Sequence, residues 1–99
     1  MRGSSGFSAF SSAKFALRAV AQSMARELGP QGIHVAHFVI DGAIDTAFIK
    51  EMFPDTYALK EKDGILQPDS IADAYWFVHT QHRSSWTHEL DLRPYMEKF

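Results

Sequence analysis

The sequence contains no cysteine, which excludes a disulfide, a thiolate metal cage and a cysteine nucleophile. Long hydrophobic runs are missing as well. The longest apolar stretch, residues 35–40, is interrupted by His37 and falls far short of the roughly 20 residues that cross a bilayer. The first residues lack the basic and apolar regions of a secretory signal, so a cytoplasmic protein is expected. Charge of one sign is not in excess either. Ten Lys and Arg against twelve Asp and Glu give a formal net charge of −2, which leaves no electrostatic footprint for nucleic acid or an anionic membrane. Glycine-rich turns after a strand, the device that seats a pyrophosphate on backbone amides, are absent. Gly3-Ser4-Ser5-Gly6 precedes a helical pattern but follows no strand. There is no internal repeat, low-complexity tract or long linker, so residues 1–99 are expected to form a single unit.

The apolar content is high for so short a chain. A domain of 99 residues buries only about 60 to 65% of its unfolded surface, and 45% hydrophobic with 13% aromatic residues is generous for that task. Some of this surface is expected to meet another chain or a further segment. Residues 9–28 read as one long helix, because Phe10, Ala13, Leu17, Val20, Ala21, Met24 and Leu28 recur at three- and four-residue intervals. Ser12, Ala16, Ala19 and Ser23 form a second stripe of small residues that would let another helix approach closely. Gly29 is expected to take the left-handed position after the helix and Pro30 to stop it. Residues 33–40 follow as a β-branched and aromatic run, the pattern of a strand covered on both faces.

Further on, Asp41-Gly42 ends the strand and residues 46–53 are expected to form a short helix closed by Pro54. Residues 55–64 mix charges of both signs and read as a solvated surface loop. A second helix is expected over 68–81, with proline and Asp69 in its first turn, Asp73 close behind, and Ile71, Ala74, Tyr75 and Val78 on one face. Residues 86–92 alternate in the manner of a last strand. His79, His82 and His88 invite a metal site, but with no cysteine and no carboxylate at matching helical spacing no metal is expected. The first two instead suit the negative end of the second helix.

The run Phe10-Ser11-Ser12-Ala13-Lys14-Phe15-Ala16-Leu17-Arg18, the long helix into Gly29-Pro30, and Gly32-Ile33-His34-Val35 together resemble the C-terminal part of the short-chain dehydrogenase/reductase family. Arg2-Gly3 through Gly6-Phe7 resembles that family's loop before its catalytic helix, although residues 1–5 fit an added tag equally well. The resemblance implies an α/β fold, the last two parallel strands of a Rossmann-like doubly wound sheet with their helices, without the N-terminal glycine-rich cofactor half. In that family a tyrosine four residues before the lysine exchanges a proton with the substrate, while the lysine lowers the phenol's pKa and binds the nicotinamide ribose. Here Phe10 holds the tyrosine position, and a phenyl ring has no proton to give. General acid–base catalysis contributes about a hundredfold to ten-thousandfold, so ordinary chemistry of the family is expected to be crippled. Phe10 itself is expected to pack in a core, as part of the old active-site wall. The family's substrate-orienting serine would lie before Met1. Lys14 stands between two readings, a cofactor-ribose ligand and an exposed helix lysine.

The second constellation is Ile40-Asp41-Gly42-Ala43-Ile44-Asp45-Thr46, at the end of the inferred buried strand where doubly wound sheets bind ligand. The resemblance carries cofactor binding onto Gly42, Ile44 and Thr46, which would hold the nicotinamide amide and a phosphate. Asp41 stands where the family has proline. An equally open reading is a turn followed by a helix capped by Asp45 or Thr46. Function is then one of three things: an NAD(P)-dependent oxidoreductase present as a C-terminal fragment; a truncated, non-catalytic pseudoenzyme that acts by associating with itself or with a full-length relative; or a bare structural fragment with no selected function. NAD or NADP is the implied cofactor, though the chain alone is not expected to bind it with normal affinity. A homo-oligomer, or pairing with a missing N-terminal half, is the expected assembly.

Overall fold

The computed structural model describes residues 8–97; residues 1–7, including the N-terminal stretch discussed above, and 98–99 lie outside it. Helix α1 (Ser8–Leu28) leads into strand β1 (His37–Ile40), short helices α2 (Ala47–Met52) and α3 (Pro54–Tyr57), helix α4 (Pro68–His79) and strand β2 (Glu89–Leu92). β1 and β2 pair in parallel, His37 opposite Glu89 and Ile40 opposite Leu92. A parallel pair requires a long crossover, and α2 to α4 supply it. The fold is therefore α/β, with helices and two parallel strands.

α1 runs the length expected, but its exit differs. Gly29, Pro30 and Gln31 continue as a turn of 3-10 helix, and Gly32, not Gly29, takes the left-handed conformation at φ 82°. Pro30 is tolerated because the first positions of such a turn need no N–H donor. Ile33 still donates to the Leu28 carbonyl at 3.2 Å, so this part of the chain belongs to the helix exit. The strand consequently begins at His37, four residues later than expected. β2 is also shorter than expected, because Thr87 is engaged with Gln81. Thr87 N donates to Gln81 Oε1 and Gln81 Nε2 donates to Thr87 Oγ1, both at 2.8 Å.

Residues 55–64 are helical for most of their length, not an irregular loop. Pro54 begins α3 with Asp55 in its first turn, and 3-10 helix follows over Ala58–Lys62. Asp63 closes it in the left-handed region at φ 55°, and Gly64 N returns to the Leu59 carbonyl at 2.8 Å. The charges lie on the outside of a helical segment. α4 ends at His79, where Thr80 Oγ1 donates to the carbonyls of Trp76 and Phe77. His82 lies beyond the helix and caps the next turn instead, its Nδ1 accepting from Ser84 N at 3.1 Å.

The core is thin. Val39, Ile65 and Val78, 3 to 4% exposed, are its buried apolar residues, joined by His37 at 7%. On the other face of β1, Phe38 is half-buried beneath Tyr75 of α4, the rings stacked 3.8 Å apart. No residue of α1 is buried. The helix is fastened to the sheet by Arg18, whose Nε and Nη2 grip the Glu89 carboxylate of β2 at 2.9 and 2.8 Å, the fork geometry that favours arginine. The radius of gyration is 15.6 Å, where a compact chain of this length is expected at about 13 Å. No helix among the described residues is long and apolar enough to cross a membrane.

Candidate functional site

The spacing of Phe10 and Lys14 puts both on one face of α1, as a four-residue interval on a helix requires. The Lys14 ammonium lies 5.4 Å from the centroid of the Phe10 ring, within cation–π range. Phe10 is 62% exposed and forms no part of a core, contrary to the sequence expectation, because no described element covers that side of α1. Thus the lysine faces an aromatic ring where an acidic hydroxyl would make a proton relay. No described hydrogen bond or ion pair joins Lys14 to the loop that follows β1.

That loop, residues 41–46, is built tightly. Gly42 stands at φ 138°, a conformation that a side chain rarely adopts, and a Cβ there would meet Pro94 Cδ at 3.0 Å. Next, the chain makes a parallel bridge between Ile44 and Leu66. Leu66 N donates to the Ala43 carbonyl and Asp45 N to the Leu66 carbonyl, both at 2.8 Å. In such a bridge the N–H and C=O of Ile44 itself point away from Leu66, and neither has a hydrogen bond among the described residues. One donor and one acceptor are therefore presented side by side, the complement of a primary amide.

Thr46 caps α2: its Oγ1 accepts from Ile49 N at 3.2 Å. The capping reading of this residue therefore describes a real bond, and the hydroxyl retains its own proton for a second partner. Beside Thr46 lies an open cleft of about 510 Å³, lined in part by Asp45, Lys50, Tyr57, Lys60 and Asp69. Lys60 Nζ is 2.9 Å from Asp45 Oδ2 and 3.4 Å from Tyr57 Oη. The Asp45 carboxylate first, and the Tyr57 hydroxyl after it, hold the Lys60 ammonium above the ordinary value of 10.5. Lys50 Nζ also approaches Tyr57, 5.9 Å from its ring centroid.

Two features of the site escaped the sequence. Arg93, just after β2, contacts both Asp41 and Asp91, and nothing in a local pattern links a residue to one fifty-two positions earlier. The pairing of Asp45 with Lys60 was hidden because the segment carrying Lys60 read as a loop. No group of three or more histidine, aspartate or glutamate side chains among the described residues is placed to hold a metal ion.

No family model matches this chain, and no curated protein does. Among solved structures it is similar to a short-chain dehydrogenase from Rhodopseudomonas palustris, at 46% identity and a TM-score of 0.63. The match covers 96% of this chain and 34% of that one, so the chain spans about a third of the length of the protein it resembles.

Proposed function

We propose that this chain is the C-terminal part of a short-chain dehydrogenase/reductase-like, NAD(P)-dependent oxidoreductase, a cytoplasmic protein forming part of a Rossmann-like doubly wound sheet. The observation that carries the reading is the loop after β1, where Ile44 presents an unengaged N–H and C=O between Gly42 at positive φ and the Thr46 hydroxyl. A carboxamide fits the Ile44 pair, and a phosphate oxygen fits the remaining Thr46 proton. These residues suit the nicotinamide end of a dinucleotide. They do not suit its pyrophosphate, for which no glycine-rich strand-to-helix turn is present. The bound dinucleotide would supply the hydride. Gly42, Ile44 and Thr46 would orient it, and Lys14 would contribute a charge to its ribose.

Phe10 limits this chemistry, because no proton leaves a phenyl ring. The contact of Lys14 with that ring favours a second reading, a non-catalytic pseudoenzyme that works through association. In either case the partner is a second copy or an N-terminal half supplied elsewhere. The exposure of Leu17, Val20 and Met24 on α1 supports such a partner, since a chain folded to completion would cover them.

Calorimetry with NADH on the purified chain, with its solution mass measured on the same sample, tests the proposal. Binding by an assembled species supports the oxidoreductase reading; a folded assembly that does not bind favours the pseudoenzyme. Phe10→Tyr in a chain completed with a cofactor half is expected to raise turnover by about a hundredfold or more. Full activity with Phe10 in place would overturn the acid–base argument.

A further inference from the structure

We infer that the segment after β2, residues 93–97, is the positioning element of the loop at 41–46, with Arg93 as its principal residue. The inference deepens the reading of that loop as a dinucleotide site and rests on it for its functional consequence, though not for its geometry.

Three contacts converge. Arg93 Nη1 lies 3.2 Å from Asp41 Oδ2, and both atoms are fully buried. The same guanidinium is held by Asp91 of the strand end, through Nε to Oδ1 at 3.1 Å and through Nη2 to Oδ2. Arg93 therefore ties the first residue of the loop to the end of β2. One residue on, Pro94 is buried and closes directly on Gly42, which has no room for a Cβ. Glu97 N turns back to the Pro94 carbonyl at 3.0 Å, which brings Met96 over Gly64, where a Cβ would stand 2.7 Å from Met96 Sδ. Gly64 leads into Ile65 and Leu66, and Leu66 is the residue whose backbone holds Ala43 and Asp45 on either side of Ile44. The segment thus meets the loop directly at its start, through Asp41 and Gly42, and reaches its middle indirectly, through Met96 on Gly64, two residues before Leu66.

The charge follows the same logic. An uncompensated carboxylate at Asp41 would repel an anionic ligand at Thr46, and a buried one would be costly in itself. Arg93, which it shares with Asp91, offsets part of that charge. Preorganisation of the Ile44 amide pair is the result: the backbone that meets the ligand is held before the ligand arrives, which lowers the ordering cost of binding.

The test uses the full chain with Arg93→Gln and Arg93→Lys, read by amide hydrogen exchange and by saturation-transfer NMR with NADH. Arg93→Gln is expected to speed exchange at residues 42–46 by about tenfold or more while the amides of α4 and of β1 keep their rates. Arg93→Lys, which keeps the charge, is expected to restore part of the protection. Unchanged exchange at 42–46, or an equal rise throughout the chain, overturns the inference. If Arg93→Gln does not fold, Met96→Ala removes the contact over Gly64 without touching the ion pair, and the same local pattern is expected. NADH, where the parent chain binds it, is expected to bind about tenfold more weakly to Arg93→Gln; undiminished binding overturns the functional consequence. A parent chain that fails to bind NADH while Arg93→Gln loosens residues 42–46 leaves the positioning role standing and removes the dinucleotide reading.

Discussion

Gly42 concentrates the constraints on the loop in one residue, since its φ of 138° and the 3.0 Å approach of Pro94 act together. Gly42→Ala is expected to cost about 1–3 kcal/mol, read as a lower urea midpoint at unchanged slope. The same change at Gly29, which has open space around it and an ordinary φ, is expected to be neutral or slightly stabilising. The contrast shows what was legible residue by residue. Asp41-Gly42 was readable as a break after a strand, and Phe10 and Lys14 as neighbours on a helix, because both are facts about adjacent chain. Which glycine would take the left-handed turn after α1 was not readable, since Gly29 and Gly32 both qualify locally and the 3-10 turn over Pro30 decides between them. Nor was the exposure of Phe10, because an apolar stripe states that a face seeks cover without stating that cover is supplied.

Among the elements, α2 depends most on a single bond. It is six residues long, far below the length at which a helix stands alone, and Thr46 satisfies one of its orphan amides. Thr46→Ala is expected to cost about 0.5–2 kcal/mol, with the loss of protection at Ile49 the marker in amide exchange. Thr46→Ser, which keeps the oxygen, is expected to retain most of the stability. The elements whose signals were strongest, α1 and α4, were found in the sequence to within a few residues. The strands are shorter than their sequence pattern, because that pattern continues past the point where backbone groups leave the ladder. Ile33 bonds back to the helix and Thr87 to Gln81, and neither bond leaves a trace in periodicity. Residues 55–64 depart from expectation for the opposite reason. Their mixed charges are those of a solvated surface, and a solvated surface belongs to a helix as readily as to a loop.

For the whole molecule, stability rests on very few buried side chains. Val78, Val39 and Ile65 come from three separate segments, so few side chains share the load and each carries a large part of it. Val78→Ala is expected to cost about 2 kcal/mol, a large share of the total for a chain with this little core, and to abolish a cooperative thermal transition in the isolated chain. Binding of a partner that covers α1 is expected to restore it, by the mass-action stabilisation that any ligand of the native state provides. The parallel pairing has a consequence in time as well as in energy. His37 meets Glu89 across fifty-two positions of chain, and the nearer β pairing among the described residues is the single bridge of Ile44 to Leu66. Search for so distant a partner is slow compared with the formation of α1, which is local. The chain therefore passes through an interval with a finished helix and an unfinished sheet, during which the strand of β1 is bare on both edges. A bare strand edge in that interval is a site for association with other chains, and the expected mark is a refolding yield that falls as chain concentration rises.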